Sequence, residues 1–260
     1  IVKMVAEIMN VPYERVEITP GDTMINPTGF GLCGSRGTIT YGHAVSSAAE
    51  DAKHKLFELA KPYLEVAEDS MYLTEYGVAT VARPGKFVTW KKLIPQDLTL
   101  TGYGQHLENF STPNMFIVFL EVQVDRETGK VDVLNMLGGT DCGQMIDPSG
   151  LEMQAQGGIG SASLDTATFE EHIIDPGTGR TMTYDMIEYK WRPFNEFPEY
   201  ETCFMESQFD TFQFKATGVG EIAGAAAASA TMQAISNAIG VQVSTYPATP
   251  DVILKALGKI

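Results

Sequence analysis

The chain has 260 residues, 18 basic against 33 acidic, for a formal net charge of −15. With 44% hydrophobic and 20% charged residues it can bury the core of one large domain or two modest ones, and it is neither a disordered tail nor a coiled coil. The acidic balance repels phosphate backbones and argues against nucleic-acid binding.

No apolar run approaches the roughly 18 residues that span a bilayer. Lys3, Glu7 and Asn10 interrupt the first apolar stretch, which argues against a signal peptide. Cys33, Cys142 and Cys203 are odd in number and widely spaced. That excludes a disulfide scaffold, a zinc knuckle or a four-cysteine iron–sulfur site within this chain. The expectation is a reduced, cytoplasmic, globular protein.

In chain order, Ile1, Val2, Met4, Val5, Ile8 and Met9 form a helical stripe that starts with no capping residue before it. This suggests a chain that begins inside an element, as a fragment or a subunit of something larger. Arg15 to Ile18 reads as a short strand closed by the turn Pro20-Gly21-Asp22. A glycine-rich loop runs from Asn26 to Thr38, and an amphipathic helix follows from about Gly42 to Ala60. Val78–Val81 and Phe87–Trp90 predict one hairpin around Arg83–Lys86. Met115–Val124 and Val131–Leu137 predict a longer one around the polar turn Asp125–Lys130.

Leu151–Leu164 reads as helix, and 170–215 as an irregular, surface-winding connection. Ile222–Ile239 and Val252–Leu257 are helical again. The fold class is α+β, with mixed sheets and packed helices. Residues 1–260 read as one region with a possible subdivision near 62–115.

Three segments carry candidate chemistry. Gly29-Phe-Gly31-Leu-Cys-Gly34 fits G-x-G-x-x-G, but Asn26-Pro27-Thr28 before it is not a strand and the helix is expected only near Gly42. A dinucleotide fingerprint needs both neighbours, so a nucleotide-binding domain is a poor reading. The glycines still free the backbone to turn amides toward an anion. Ser35, Arg36 and Thr38 add two hydroxyls and a guanidinium suited to an oxyanion. A plain glycine-rich turn remains open.

From Ala216 to Pro250 only Glu221 carries a charge, in Gly218-Val219-Gly220-Glu221 ahead of an alanine-rich helix. A helix without a polar face is expected to be enclosed on most sides. A carboxylate buried at its head has a raised pKa, as a general base near neutral pH requires. The alternative is a glutamate that simply caps the helix.

Gly138–Gly143 and Gln154-Ala-Gln156-Gly157-Gly158 flank a helix start after Asp147-Pro148, and Gln154 and Gln156 can donate to a polar cofactor. Close helix packing explains the glycines taken singly. His43, His54, His106 and His172 lack ligand spacing, so no protein-ligated metal is expected. Glu65, Glu68, Asp69, Glu170 and Glu171 read as solvated charge. Cys33 and Cys142 lie in glycine-rich loops where a thiol is accessible, but no partner at a motif-like offset activates either. No G-x-S-x-G is present to start a hydrolase triad.

Six segments in order are similar to the C-terminal part of the molybdopterin-binding subunit of the xanthine oxidase family of molybdenum hydroxylases. They are NVPYERVEITPGDT, GFGLCGSRGT, FLEVQVDRETGKVDVL, DCGQMIDPSGLEMQAQGGIG, FKATGVGE and ATPDVILKAL. The resemblance implies that Glu221 is the catalytic base of a hydroxylation drawing its oxygen from water. It implies pterin or phosphate contacts from Gly34, Ser35, Arg36, Gly37, Thr38, Gln154, Gly218, Val219 and Gly220. It implies a molybdenum–molybdopterin cofactor, in plain or dinucleotide form, with the metal held by the pterin dithiolene and not by side chains.

Earlier cofactor segments of the family are missing, so another molybdopterin-binding chain or an N-terminal remainder is implied. Family members with a split molybdenum subunit, such as anaerobic nicotinate dehydrogenase, offer a precedent. Iron–sulfur clusters and FAD are implied on partner subunits. Substrates range over N-heterocycles and aldehydes. A non-catalytic scaffold subunit of a redox complex is the rival from another class.

Overall fold

The structure is a computed structural model, and it describes residues 1–19, 21–24, 29, 31–106, 114–159, 164–169, 171–209 and 213–260. The chain forms two units, Ile1–Thr112 with Phe209–Ala216, and Pro113–Gln208 with Thr217–Ile260. The expected turn at Pro20 and parts of the loop at Asn26–Thr28 and Phe30 lie outside the described residues.

In the first unit, α1 (Val2–Met9) buries Met4, Ala6 and Ile8 against the long helix α2 (Gly37–Leu64). No side chain caps α1, and Asn10 ends it in the left-handed region while donating Nδ2 to the Leu73 carbonyl at 2.7 Å. The strand expected at Arg15–Ile18 does not form. Pro12 opens a 3₁₀ turn over Tyr13–Arg15, and Arg15 pairs with Glu75 at 2.7 Å. Proline fixes the φ of a turn and offers no donor to a ladder, so the local sequence favours the turn.

A small antiparallel sheet follows: β1 (Met71–Thr74), β2 (Gly77–Thr80) and β3 (Phe87–Thr89), in that order. Val78 faces Val88 as the expected hairpin requires, while β1 was not expected. The helix α3 (Trp90–Leu93) closes the sheet. Leu56, Phe57, Ala60 and Leu64 of α2 pack with Leu73, Val78, Val88 and Leu93 into one core. A Cβ on Gly77 would stand 1.9 Å from the Val88 carbonyl oxygen, so the β2–β3 approach requires glycine there.

In the second unit, β4 (Phe116–Val124) and β5 (Val131–Asp141) form the expected long hairpin. Its turn is held by Asp125, whose carboxylate accepts from the amides of Glu127 and Thr128. The strand β5 runs on through Gly138–Asp141, residues expected in a loop. The helix α4 (Pro148–Ile159) and the short α5 (Asp165–Thr168) come next.

The expected irregular stretch 170–215 contains a strand, β6 (Glu199–Met205), which pairs parallel to β5. The sheet order is β4-β5-β6. The alanine-rich α6 (Ile222–Ile239) lies on one face of this sheet, and α7 (Pro250–Ala256) ends the unit. Val133, Met136, Leu164, Ala223 and Ala227 are buried together, flanked by Phe116, Val118, Leu120 and Val122 of β4.

Helix α6 is enclosed on one face, not on most sides. Ala223, Ala227, Thr231, Ile235 and Ile239 are buried at four-residue spacing, whereas Ala225, Ser229, Gln233 and Asn237 are exposed. Alanine fits either environment, so a run of alanines does not reveal which side meets water.

Candidate functional site

The head of α6 is built by the segment Thr217–Glu221. The Thr217 amide donates to the Cys142 carbonyl at 2.9 Å, which fixes the segment to the end of β5. The Thr217 hydroxyl donates to Asn114 Oδ1 at 2.9 Å, and Asn114 Nδ2 donates to the Gly218 carbonyl at 2.5 Å. From α4, Gln154 Nε2 donates to the Gly220 carbonyl, also at 2.5 Å. Thus Gln154, Gly218, Val219, Gly220 and Glu221 are brought together. Asn114 is the member that sequence reasoning missed, because its partners are a hundred residues away in the chain.

Glu221 occupies the N-cap of α6, and its side chain makes no capping hydrogen bond to the helix's first amides. Among the described residues the capping alternative therefore finds no support. The expectation that it is buried is also corrected: within this chain Glu221 is exposed, like Gly220, while Gly218 is buried. Close packing of α4 on α6 depends on Gly158, where a Cβ would come within 2.7 Å of Ala223 Cβ. The glycine sets how near α4, and hence Gln154, lies to the α6 head.

Around the same segment, Asp141 Oδ1 accepts from the amides of Gly143 at 3.1 Å and Ser207 at 3.0 Å. Burial pulls the Asp141 carboxyl up, but its hydrogen bonds with Ser207 and Gly143 outweigh this and hold it below the ordinary carboxylate value. Cys142 is 3% exposed, so the expectation of an accessible thiol fails there. Burial pushes that thiol up, away from the thiolate that nucleophilic or redox chemistry needs.

In the first unit, Gly34, Ser35, Arg36, Gly37 and Thr38 form the turn into α2. The helix begins at Gly37, five residues ahead of the expected Gly42. The cause is that no Ser, Thr, Asp or Asn cap precedes it and β-branched Thr38, Ile39 and Thr40 imitate an extended segment. Gly34 and Ser35 are successive left-handed residues, with φ of +63° and +56°.

Arg36 is the N-cap residue and makes no side-chain cap. Its guanidinium folds back on Cys33, donating to the carbonyl at 3.1 Å and to Sγ at 2.9 Å. No acidic side chain lies in the first turn of α2. The amides there and the positive end of the helix dipole favour a negative group.

Two contacts join histidines that look isolated in sequence. His43 Nδ1 lies 2.9 Å from His106 Nδ1. His54 Nδ1 lies 2.9 Å from Glu68 Oε1, so Glu68 is paired rather than simply solvated. Among the described residues, His54, Glu58 and Glu68 are the one group of three side chains close enough to hold an ion, and they sit on or beside exposed turns of α2. Glu170 lies outside the described residues.

The sequence pattern of the molybdopterin cofactor-binding domain matches residues 1–198, well over half of the chain. The chain belongs to that family. The domain is 27% identical over 257 residues to the putative xanthine dehydrogenase molybdenum-binding subunit of Escherichia coli K12, covering 95% of this chain and 34% of that subunit. It is 23% identical to the nicotine 6-hydroxylase large subunit of Paenarthrobacter nicotinovorans, covering 98% of this chain and 33% of that subunit.

Among solved structures, the molybdopterin-binding domain matches CO dehydrogenase from Oligotropha carboxidovorans with a TM-score of 0.86 and 24% identity, over 99% of this chain and 33% of that one. Quinoline 2-oxidoreductase from Pseudomonas putida 86 matches with a TM-score of 0.85 and 23% identity, over 99% and 34%. The domain thus has the α+β fold of these chains and spans about a third of the length of the relatives it matches. No helix among the described residues is long and apolar enough to cross a membrane.

Proposed function

We propose that this domain forms part of the active site of a molybdenum hydroxylase of the xanthine oxidase family, with Glu221 as the catalytic base. The observation that carries this reading is a carboxylate set at the head of α6, the one charge between Ala216 and Pro250. It stands on a peptide segment clamped from three directions, by Asn114, Cys142 and Gln154. Such bracing holds a reacting group within the tolerance that proton transfer requires.

The residues present fit a pterin bearing phosphate. The amides opening α2, the hydroxyls of Ser35 and Thr38 and the Arg36 guanidinium would hold an anionic arm. Gln154, Gly218, Val219 and Gly220 would meet the cofactor beside Glu221. When bound, the molybdenum–pterin group supplies a redox metal that takes up two electrons from the substrate carbon.

Glu221 accepts the proton released as a water-derived oxygen bonds to that carbon, and it holds the proton on a carboxylate oxygen. The substrate class is an N-heterocycle or an aldehyde. Electrons leave to iron–sulfur clusters and flavin on partner subunits. Within this chain the thiols are a buried Cys142 and the exposed Cys33 and Cys203, all unbridged. A reduced, cytoplasmic setting and a dinucleotide form of the pterin belong to the same proposal.

The test is Glu221→Gln in the complete enzyme, with molybdenum and pterin measured beside turnover. Lost turnover with cofactor content intact supports the base. Unchanged turnover overturns it. Absence of molybdenum from the purified wild-type complex would favour a scaffold subunit instead.

A further inference from the structure

One face of the β4-β5-β6 sheet packs on α6, and the opposite face is open. Strand alternation puts Ile117 and Phe119 of β4 on the open face, with Leu137 of β5 and Cys203 and Met205 of β6. The register aligns these into rows: Ile117 faces Gly139 and then Cys203, and Phe119 faces Leu137 and then Glu201. Met115 adds to the same end. Phe119 is 65% and Met115 63% exposed.

These side chains, with Gly139 between Ile117 and Cys203, line a depression. The next row is Glu121, Asn135 and Glu199. Along the strands the open face therefore passes from apolar to acidic. Large apolar side chains grouped on one face mark a surface made to be covered, because leaving them in water forfeits their transfer free energy.

We propose that this face docks the remainder of the molybdenum-binding subunit, through a segment with an apolar strip bordered by lysine or arginine. This rests on the reading of the chain as part of that larger subunit. Two observations choose the occupant. The matched relatives run to about three times this chain's span, so two thirds of such a subunit lies outside it. A second copy would bring a further net charge of −15 against Glu121, Glu199 and Glu201, whereas a basic border complements them. The exposed side of α6 carries small and polar residues, and does not offer a comparable apolar area.

The experiment places a photo-crosslinking phenylalanine analogue at Phe119 in cells making the complete enzyme, and identifies the joined peptide by mass spectrometry. The expected partner is a peptide matching the other two thirds of the relatives' molybdenum subunit, whether on this polypeptide or a separate one. Crosslinks to a second copy, to residues 1–112 of this chain, or to nothing would overturn the proposal.

Phe119→Asp should lower the yield of assembled enzyme by about tenfold or more, as removal of a central apolar anchor does. Phe119→Leu should restore the yield, and wild-type assembly by Phe119→Asp would count against the surface. The outcomes separate from those for Glu221. A crosslink as expected beside a fully active Glu221→Gln enzyme removes the base and keeps the surface. No crosslink beside an inactive one does the reverse.

Discussion

Gln154 donates its side-chain amide to the carbonyl of Gly220, the residue before Glu221. The contact joins α4 to the head of α6 through a peptide group, so the orientation of the glutamate is tied to a residue far away in sequence. With Asn114 on the Gly218 carbonyl, it leaves the segment little freedom to tilt.

Glu221→Gln is expected to lower turnover by about 10²–10⁴-fold, the range that positioned acid–base groups contribute. The melting temperature should change little, because Glu221 is exposed and substitutions away from the core cost little. Paired kinetics and calorimetry check both halves, and a large fall in melting temperature would point to a structural role.

Gln154→Ala removes one hydrogen bond, worth about 0.5–1.5 kcal/mol. The expected result is a small fall in stability with a larger fall in molybdenum per chain, measured by elemental analysis of the purified enzyme. Full molybdenum content would leave Gln154 as a brace for Gly220 and nothing more.

Asp165 and Arg192 form an ion pair with side chains 0% and 2% exposed, joined at 3.2 Å. Arg192 also donates to Thr168 and lies over the Phe169 ring. Burial pushes the Asp165 carboxyl up, against the hydrogen bonds and charge of Arg192, which pull it down. Asp165→Ala strands a buried guanidinium, and should cost about 3–5 kcal/mol by denaturant unfolding. A loss below about 1 kcal/mol would show that water reaches the site.

The hydrogen bond that His54 donates to Glu68, together with the glutamate's charge, raises the His54 pKa above 6.5. The imidazolium is thus favoured in the folded state. Its contribution to stability is full below 6.5 and disappears as pH rises through the higher folded-state value. An NMR titration should show the His54 midpoint falling in Glu68→Gln; an unmoved midpoint would break the assignment. The group is exposed, so a small effect that salt weakens is expected.

The elements legible in the sequence are those whose signal is local. The stripe of α2, the alternation of β4 and β5 around Asp125–Lys130, and the uninterrupted run of α6 each announce themselves within a short window. Strand β6 does not, because what makes Glu199–Met205 a strand is its distant partner β5. The same holds for His43 with His106, and for Asn114 with Gly218.

At the site, the sequence singled out Glu221 and Gln154 but misjudged the glutamate's exposure. A lone charge in an apolar segment tells which residues surround it along the chain, and not which face of the helix meets solvent.

The parallel pairing of β5 with β6 has a consequence for the order of folding. Everything from Cys142 to Pro198 must be looped back before those strands meet, and such non-local closure is slow compared with hairpin formation. Helix α4 lies inside that loop, so the clamp of Gln154 on Gly220 is expected to form later than the β4–β5 hairpin. Nascent chains should hold the β4–β5 hairpin early. The return strand β6 should be protected from hydrogen exchange only later.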